Sequence, residues 1–313
     1  MHAAGSDIRK NLVTALLLAL TAIGGCEKPQ LVPHTESRPL MGATVAITTE
    51  GQDRKRLQHA TNAAYREMAR LWDIMDQDRP ESAVGAINRD AGKRPVAAPP
   101  ELMYVLRMAR NTSKRTQGAL DVTTDVPPGD YRNLILDENA RTAFLAKPGM
   151  RLDLRAVARL YVLHAGMGML KRNGVAHARI DAGDAVEVVG GFAGQPWRVD
   201  VRDARAPGKI YGTVELRHGI VVSVDDQRGR RVLAPKSGGP APGPRGVTVI
   251  AEDLELTIGL AEAIMVMGGA DGRAFIEQRP TLEGIIFERD DSVWVSPGLG
   301  PRLRFTRADG KAR

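Results

Sequence analysis

Residues 174–189 read Gly-Val-Ala-His-Ala-Arg-Ile-Asp-Ala-Gly-Asp-Ala-Val-Glu-Val-Val, and the spacing of the apolar residues changes at this stretch. Before it, apolar residues recur mainly at the spacing of amphipathic helices. After it, short runs rich in β-branched residues are separated by Gly or Pro, as in successive strands. This arrangement is typical of the α+β class, with a mixed sheet region and packed helices.

The rest of the sequence divides into predicted helices and strands. Helices are predicted over residues 54–77, from Pro99-Pro100 to a stop at Gly118, and over 156–171 and 256–267, the last ending at Gly268-Gly269. Strands are predicted over 41–49, 119–124, 178–183, 186–189, 197–201, 219–223 and 246–251, with hairpins at 133–145 and 284–295.

The charge and the aromatic content together limit the classes of partner. The 313 residues include 44 Lys and Arg against 37 Asp and Glu, giving a formal net charge of +7. Such an excess is compatible with nucleic acid, but only 4% of the residues are aromatic. Because single-strand binding proteins stack bases on aromatic rings, no nucleic-acid partner is predicted.

The N-terminus has the pattern of an export signal. Arg9-Lys10 precede an apolar run over residues 12–20, and Ile23-Gly24-Gly25-Cys26 resembles a bacterial lipobox. The sequence therefore predicts a lipoprotein signal peptide at 1–25, a lipid on Cys26, a tether at 26–38 and one domain at 39–313. The alternative is that Cys26 is a buried free cysteine in an N-terminal helix.

Catalytic motifs are scarce. The sequence has no Gly-x-Ser-x-Gly nucleophile motif, no Walker loop and no dinucleotide fingerprint. It does have carboxylates beside small residues, which are Asp121, Asp153, Asp184 and Asp225-Asp226. Oxygen ligands of this kind suit a hard cation such as Mg²⁺, but the same residues are also common in turns and helix caps. Both interpretations remain open at this point.

The order of several short segments carries a family resemblance. They are Met41-Gly42-Ala43-Thr44-Val45, Glu81-Ser82-Ala83-Val84, Gly118-Ala119-Leu120-Asp121, Arg151-Leu152-Asp153-Leu154, Asp181-Ala182-Gly183-Asp184, Ala234-Pro235-Lys236-Ser237-Gly238 and Met265-Val266-Met267-Gly268. In this order they resemble the ApbE family of flavin transferases across nearly the whole chain after residue 40. The resemblance implies a single domain of the ApbE-like, T-fold-related architecture.

The resemblance also implies an activity and a set of binding residues. Family members are exported lipoproteins that bind FAD and Mg²⁺ and transfer FMN to a Thr hydroxyl of a partner, often a subunit of a membrane electron-transport complex. By position, flavin-nucleotide contacts would come from Met41, Asp78, Ala119, Leu120, Asp121, Asp153, Arg159 and Val232. The metal would face the Ala156 carbonyl and Glu262. Asp225 and Arg231 are the candidates for catalysis.

Several positions depart from the family pattern. Arg159-Leu160 stands where the family has Lys or Glu followed by Gly, and Arg231 replaces a His. The family's two metal ligands, Asp and Thr, correspond to Ile258 and Glu262, and an Ile side chain cannot bind Mg²⁺. Two hypotheses follow: a working FAD:protein FMN transferase with an altered metal site, or a catalytically impaired lipoprotein that binds flavin or acts as a scaffold. An unrelated periplasmic binding domain is the third possibility.

Overall fold

A computed structural model describes residues 31–123, 129–226 and 232–300, together with the backbone of 303–305. The predicted signal peptide, Cys26 and Arg231 lie outside the described residues.

An eight-stranded antiparallel sheet lies at the centre of the fold. Its spatial order is β1-β2-β6-β7-β10-β11-β12-β13. The strands are β1 (Val32–Leu40), β2 (Ala43–Gly51), β6 (His177–Asp181), β7 (Ala185–Val189), β10 (His218–Asp225), β11 (Gly246–Ala251), β12 (Glu283–Phe287) and β13 (Val293–Val295). Every residue of β7 and β11 is buried, because both faces of the sheet are covered.

Helices cover one face of this sheet. They are α1 (Arg54–Met75), α2 (Ala83–Arg89), α3 (Pro100–Arg115), α4 (Arg155–Arg172), α5 (Leu254–Thr257), α6 (Leu260–Met267) and α7 (Gly269–Glu277). α1 packs on α4, and their apolar residues join those of β2, β6 and β11 in the larger hydrophobic core. None of the described helices combines the length and the hydropathy that crossing a membrane requires.

Two three-stranded sheets complete the described fold. The first consists of β8 (Trp197–Arg202), β9 (Ile210–Leu216) and β14 (Leu303–Phe305). Apolar residues of β8 and β9 pack with those of β7, β10, β11 and β12 in a second core, so this sheet covers the face opposite the helices. The second consists of β3 (Val96–Ala97), β5 (Thr142–Leu145) and β4 (Leu134–Asp137). The predicted α+β class is confirmed.

Three local predictions are wrong, each for an identifiable reason. Residues 32–38, predicted as tether, form most of β1, an edge strand where Pro33 and Pro39 are tolerated. Residues 119–123 form no strand, because the Asp121 side chain holds them in a turn. The helix predicted over 256–267 is divided at Ile258-Gly259, and a further helix, α7, follows Gly268.

Candidate functional site

Two loops and the end of β10 lie at the same end of the central sheet. The Met41-Gly42 turn joins β1 to β2, with Leu40 opposite Ala43 and both turn residues at positive φ, as a type I′ hairpin requires. Ala46 pairs with Asp181, which brings this turn to the end where residues 182–184 connect β6 to β7. β10 reaches the same end, where the Ser223 amide donates to the Asp184 carbonyl over 2.8 Å.

The turn after Gly118 is organised by a buried carboxylate. Asp121 is only 7% exposed. Its Oδ1 accepts hydrogen bonds from the Thr123 amide at 2.8 Å and the Thr123 hydroxyl at 2.7 Å, and its Oδ2 accepts from the Tyr131 amide at 2.8 Å. Burial raises the pKa of the Asp121 carboxyl, against the opposing effect of these donors. The hydrogen bonds that the Asp121 side chain accepts therefore hold the predicted binding segment 119–121 in place.

A second loop, at the start of α4, is held against this turn. The Asp153 amide donates to the Val122 carbonyl over 2.7 Å. The Gln77 Oε1 accepts from the Leu154 amide at 2.8 Å, and the Asn88 Oδ1 accepts from the Leu152 amide at 2.7 Å. The Asp121 and Asp153 segments, 32 positions apart in the chain, are thus direct neighbours. The Asp153 carboxylate itself is paired with the Arg155 guanidinium.

The break between α5 and α6 lies against both segments. Gly259 has φ +68, and a Cβ built on it would lie 2.5 Å from Leu120 Cδ2 and 3.2 Å from Val157 Cγ1. Only glycine meets both requirements, the left-handed backbone and the close approach. Leu120, the first turn of α4 and Gly259, the residue after Ile258, are therefore packed together.

Arg159 connects α4 to the loops at the end of the sheet. Its Nη1 donates to Asp184 Oδ2 at 2.8 Å and its Nη2 donates to the Ala182 carbonyl at 3.1 Å. The Arg159 side chain is 19% exposed. The guanidinium therefore has a fixed position one helical turn beyond Ala156.

Val232 belongs to a segment that also reaches the Asp121 turn. Its carbonyl accepts from the Ala241 amide at 2.8 Å, and the neighbouring Pro235 carbonyl accepts from the Gly129 amide at 3.0 Å. Gly129 is two residues before Tyr131, whose amide donates to Asp121. The sequence-predicted residues Ala119, Leu120, Asp121, Asp153, Arg159 and Val232 thus lie on segments that are directly linked to one another.

Two other predicted residues are placed differently. Asp78 is exposed, and the contact of that segment with α4 is made by its neighbour Gln77. Alternate residues of a strand face the same side of the sheet, so Asp225 faces the same side as Val221 of β10. Val221 packs in the core beneath the small sheet, whereas Ile220 and Val222 pack towards the helices. Asp225 accordingly lines a pocket of about 430 Å³ with Arg202, Asp203 and Lys209. The structure does not bring Asp225 to the Asp121 turn.

The donor set at the predicted metal position does not fit Mg²⁺. Ile258 is fully buried in the apolar core. Of the two predicted ligands, Glu262 supplies a single carboxylate and Ala156 a main-chain carbonyl. Within residues 31–123, 129–226 and 232–300, no three His, Cys, Asp or Glu side chains form a group that could hold a metal ion. Mg²⁺ requires a near-octahedral shell of oxygen atoms, and this arrangement does not provide one.

Sequence reasoning missed two residues that build the site. Gln77 and Asn88 fix the loop before α4 through side-chain bonds to main-chain amides. Their positions, just after α1 and near the end of α2, contain no recognisable chemical motif. Gln77 lies between Asp76 and Asp78, and Asn88 precedes Arg89-Asp90, so nothing in the local sequence distinguishes either residue from its polar neighbours.

The fold is that of the ApbE class of proteins. The structure is similar to the crystal structure of the ApbE protein from Thermotoga maritima, with a TM-score of 0.77 at 22% identity, covering 87% of this chain and 99% of that one. It is also similar to the flavin transferase ApbE from Vibrio cholerae, with a TM-score of 0.76 at 22% identity, covering 88% and 100%. The ApbE family model matches residues 41–128 and 126–286, so the chain belongs to the ApbE family.

Curated relatives agree with this assignment. A FAD:protein FMN transferase from Klebsiella pneumoniae is 25% identical over 313 residues, covering 88% of this chain and 95% of that protein. Another from Rhodobacter capsulatus is 24% identical over 307 residues, covering 86% of this chain and 58% of that protein. The chain therefore matches little more than half the length of the Rhodobacter relative.

Proposed function

We propose that this chain is a FAD:protein FMN transferase. The observation that carries the proposal is the meeting of the Asp121 turn, the start of α4 and Gly259, which lie far apart in the sequence. The family resemblance assigns the first two segments to the flavin nucleotide and the position before Gly259 to a metal ligand, and all three are fixed by hydrogen bonds or by close packing.

The proposed reaction is a phosphoryl transfer. A Thr hydroxyl oxygen of the acceptor attacks the phosphorus on the FMN side of the FAD pyrophosphate, and the bond from that phosphorus to the bridging oxygen breaks. AMP leaves with the bond's electron pair, and the hydroxyl proton is released. In such a reaction the protein acts mainly by positioning the reactants and by stabilising charge. The Asp121 turn and the start of α4 would position the nucleotide, and Arg159 would place a positive charge nearby.

Ile258 favours a second candidate function, a flavin-binding partner that does not transfer FMN. The apolar side chain is fully buried where the family has a metal ligand. A chain that lost the metal while retaining the nucleotide segments would bind flavin or act as a scaffold for a partner, without cleaving the pyrophosphate.

An acceptor assay separates these functions. The full chain is incubated with FAD and a Thr-bearing acceptor subunit of a membrane electron-transport complex, with and without Mg²⁺. We expect a fluorescent acceptor band in a denaturing gel and release of AMP. An acceptor with its Thr replaced by Ala is the matched control and should stay dark. A dark band with the native acceptor, beside a bright one made by the Vibrio cholerae flavin transferase, would select the second function.

We also propose that the protein is exported and anchored to a bacterial membrane, facing the periplasm. The support is the lipobox-like sequence ending at Cys26 and the apolar run before it. Because acylation requires the thiol, Cys26→Ser should move the protein from the membrane fraction to the soluble fraction. Cys26→Ser protein that remains with the membranes would contradict the anchor.

A further inference from the structure

We propose that this chain binds the pyrophosphate of its flavin nucleotide without a divalent cation, and that the Arg159 guanidinium supplies the positive charge at that position. The inference depends on the nucleotide site described under the proposed function. It concerns what this chain uses in place of the family's metal.

Apolar groups occupy the position where a cation would be expected. Ile258 is fully buried, and Gly259 next to it is packed against Leu120 and Val157. A single additional methyl group at Gly259 would lie 2.5 Å from Leu120 Cδ2. Mg²⁺ requires a near-octahedral shell of oxygen ligands, and residue 258 supplies an apolar side chain instead of one of them.

The carboxylates around the site already have other partners. Asp121 accepts three hydrogen bonds from Thr123 and Tyr131, and the Asp153 carboxylate is paired with Arg155. Asp184 accepts from Arg159. A metal would therefore compete for Asp121, Asp153 and Asp184 Oδ2 with donors that already stabilise the fold, while Asp184 Oδ1 accepts no hydrogen bond among the described residues.

Arg159 has unused hydrogen-bonding capacity. A guanidinium has five N–H donors, and those with acceptors in the described structure come from Nη1 and Nη2. Its Nε is buried without a hydrogen-bond partner among the described residues, and so is Asp184 Oδ1. Nη1 and Nη2 each carry a second N–H, and the side chain is 19% exposed, so these groups rather than the buried Nε can donate to a phosphate oxygen. Asp184 and the Ala182 carbonyl hold the guanidinium in place for it.

The first test measures FAD binding by the full chain through fluorescence anisotropy, once in excess EDTA and once in millimolar MgCl₂. We expect the same Kd in both. A Kd that rises about tenfold or more in EDTA would overturn the metal-free inference and leave the proposed function intact. Absence of binding in both buffers would overturn the proposed nucleotide site itself.

A pair of variants tests the role of Arg159. Arg159→Met keeps most of the aliphatic stem and removes the charge, and it should weaken FAD binding about 10- to 100-fold, the range for one charged hydrogen bond. Arg172→Met, at the far end of α4, removes the same charge and should leave the Kd unchanged. Equal Kd values for the two variants would contradict the assignment. Circular dichroism establishes that both are folded.

The reverse substitution provides an independent measurement. Ile258→Asp combined with Glu262→Thr restores the ligand types of the family, so FAD binding by this double variant should become tighter on addition of Mg²⁺. Should the double variant fail to fold, the EDTA comparison on the unmodified chain still decides the question.

Discussion

Replacing Asp121 with Ala is expected to lower the free energy of unfolding at pH 7 by about 3 kcal/mol, since three donors lose their acceptor in a buried place. The donors are the Thr123 amide, the Thr123 hydroxyl and the Tyr131 amide. Urea denaturation measures the change. Asp130→Ala is the matched control: Asp130 is more exposed and pairs with Arg132 at the surface, so its loss should cost less than about 1 kcal/mol. Equal losses would show that the Asp121 hydrogen bonds do not stabilise this turn.

The pH dependence of the Asp121→Ala effect has a defined sign. Burial raises the folded-state pKa of Asp121 above its ordinary value of 3.8. The stability gained from this shift is fully present below the unfolded pKa and is lost as pH rises through the folded pKa. The stability difference between the native chain and Asp121→Ala should therefore be largest in acid and fall to a plateau as pH rises above the folded pKa. A difference that grows with pH over this window would contradict the assignment.

Gly259→Ala is the second substitution with a large expected effect, a loss of about 3 kcal/mol in the free energy of unfolding. About 1 to 2 kcal/mol comes from placing a Cβ in the left-handed region, and the remainder from overpacking against Leu120. Gly42→Ala is the matched control, because Gly42 has φ +72 but no atom within 4 Å of the added Cβ. Gly42→Ala should therefore lose only the part of the free energy of unfolding that comes from placing a Cβ in the left-handed region. Similar losses for both variants in urea denaturation would show that the Leu120 contact is unimportant.

The sequence correctly predicted helices and strands that bury one face, because burial of one face leaves a regular spacing of apolar residues. The helix over Arg54–Met75 and the hairpin of β4 and β5 were placed to within a few residues, because their apolar spacing follows directly from the face they bury. β1 was missed because an edge strand alternates polar and apolar residues weakly and tolerates Pro33 and Pro39, so it resembles a linker.

The candidate site was predicted in part. The resemblance placed Leu120, Asp121 and Asp153 on neighbouring segments, and the structure places those segments together. What the sequence could not provide was the orientation of the side chains. Asp225 was predicted as a catalytic carboxylate, but the alternation of side chains along β10 places it on the face covered by the small sheet. Gln77 and Asn88 act through main-chain amides of a loop more than 60 residues away, and such long-range pairing has no local signature.

The most direct test of the account is a crystal structure of the full chain with FAD. We predict that the nucleotide lies between the Asp121 turn and the start of α4, with a pyrophosphate oxygen within hydrogen-bonding distance of the Arg159 guanidinium and no metal ion beside Ile258. FAD bound instead in the pocket lined by Arg202, Lys209 and Asp225, or a cation held by Glu262 and the pyrophosphate, would contradict it.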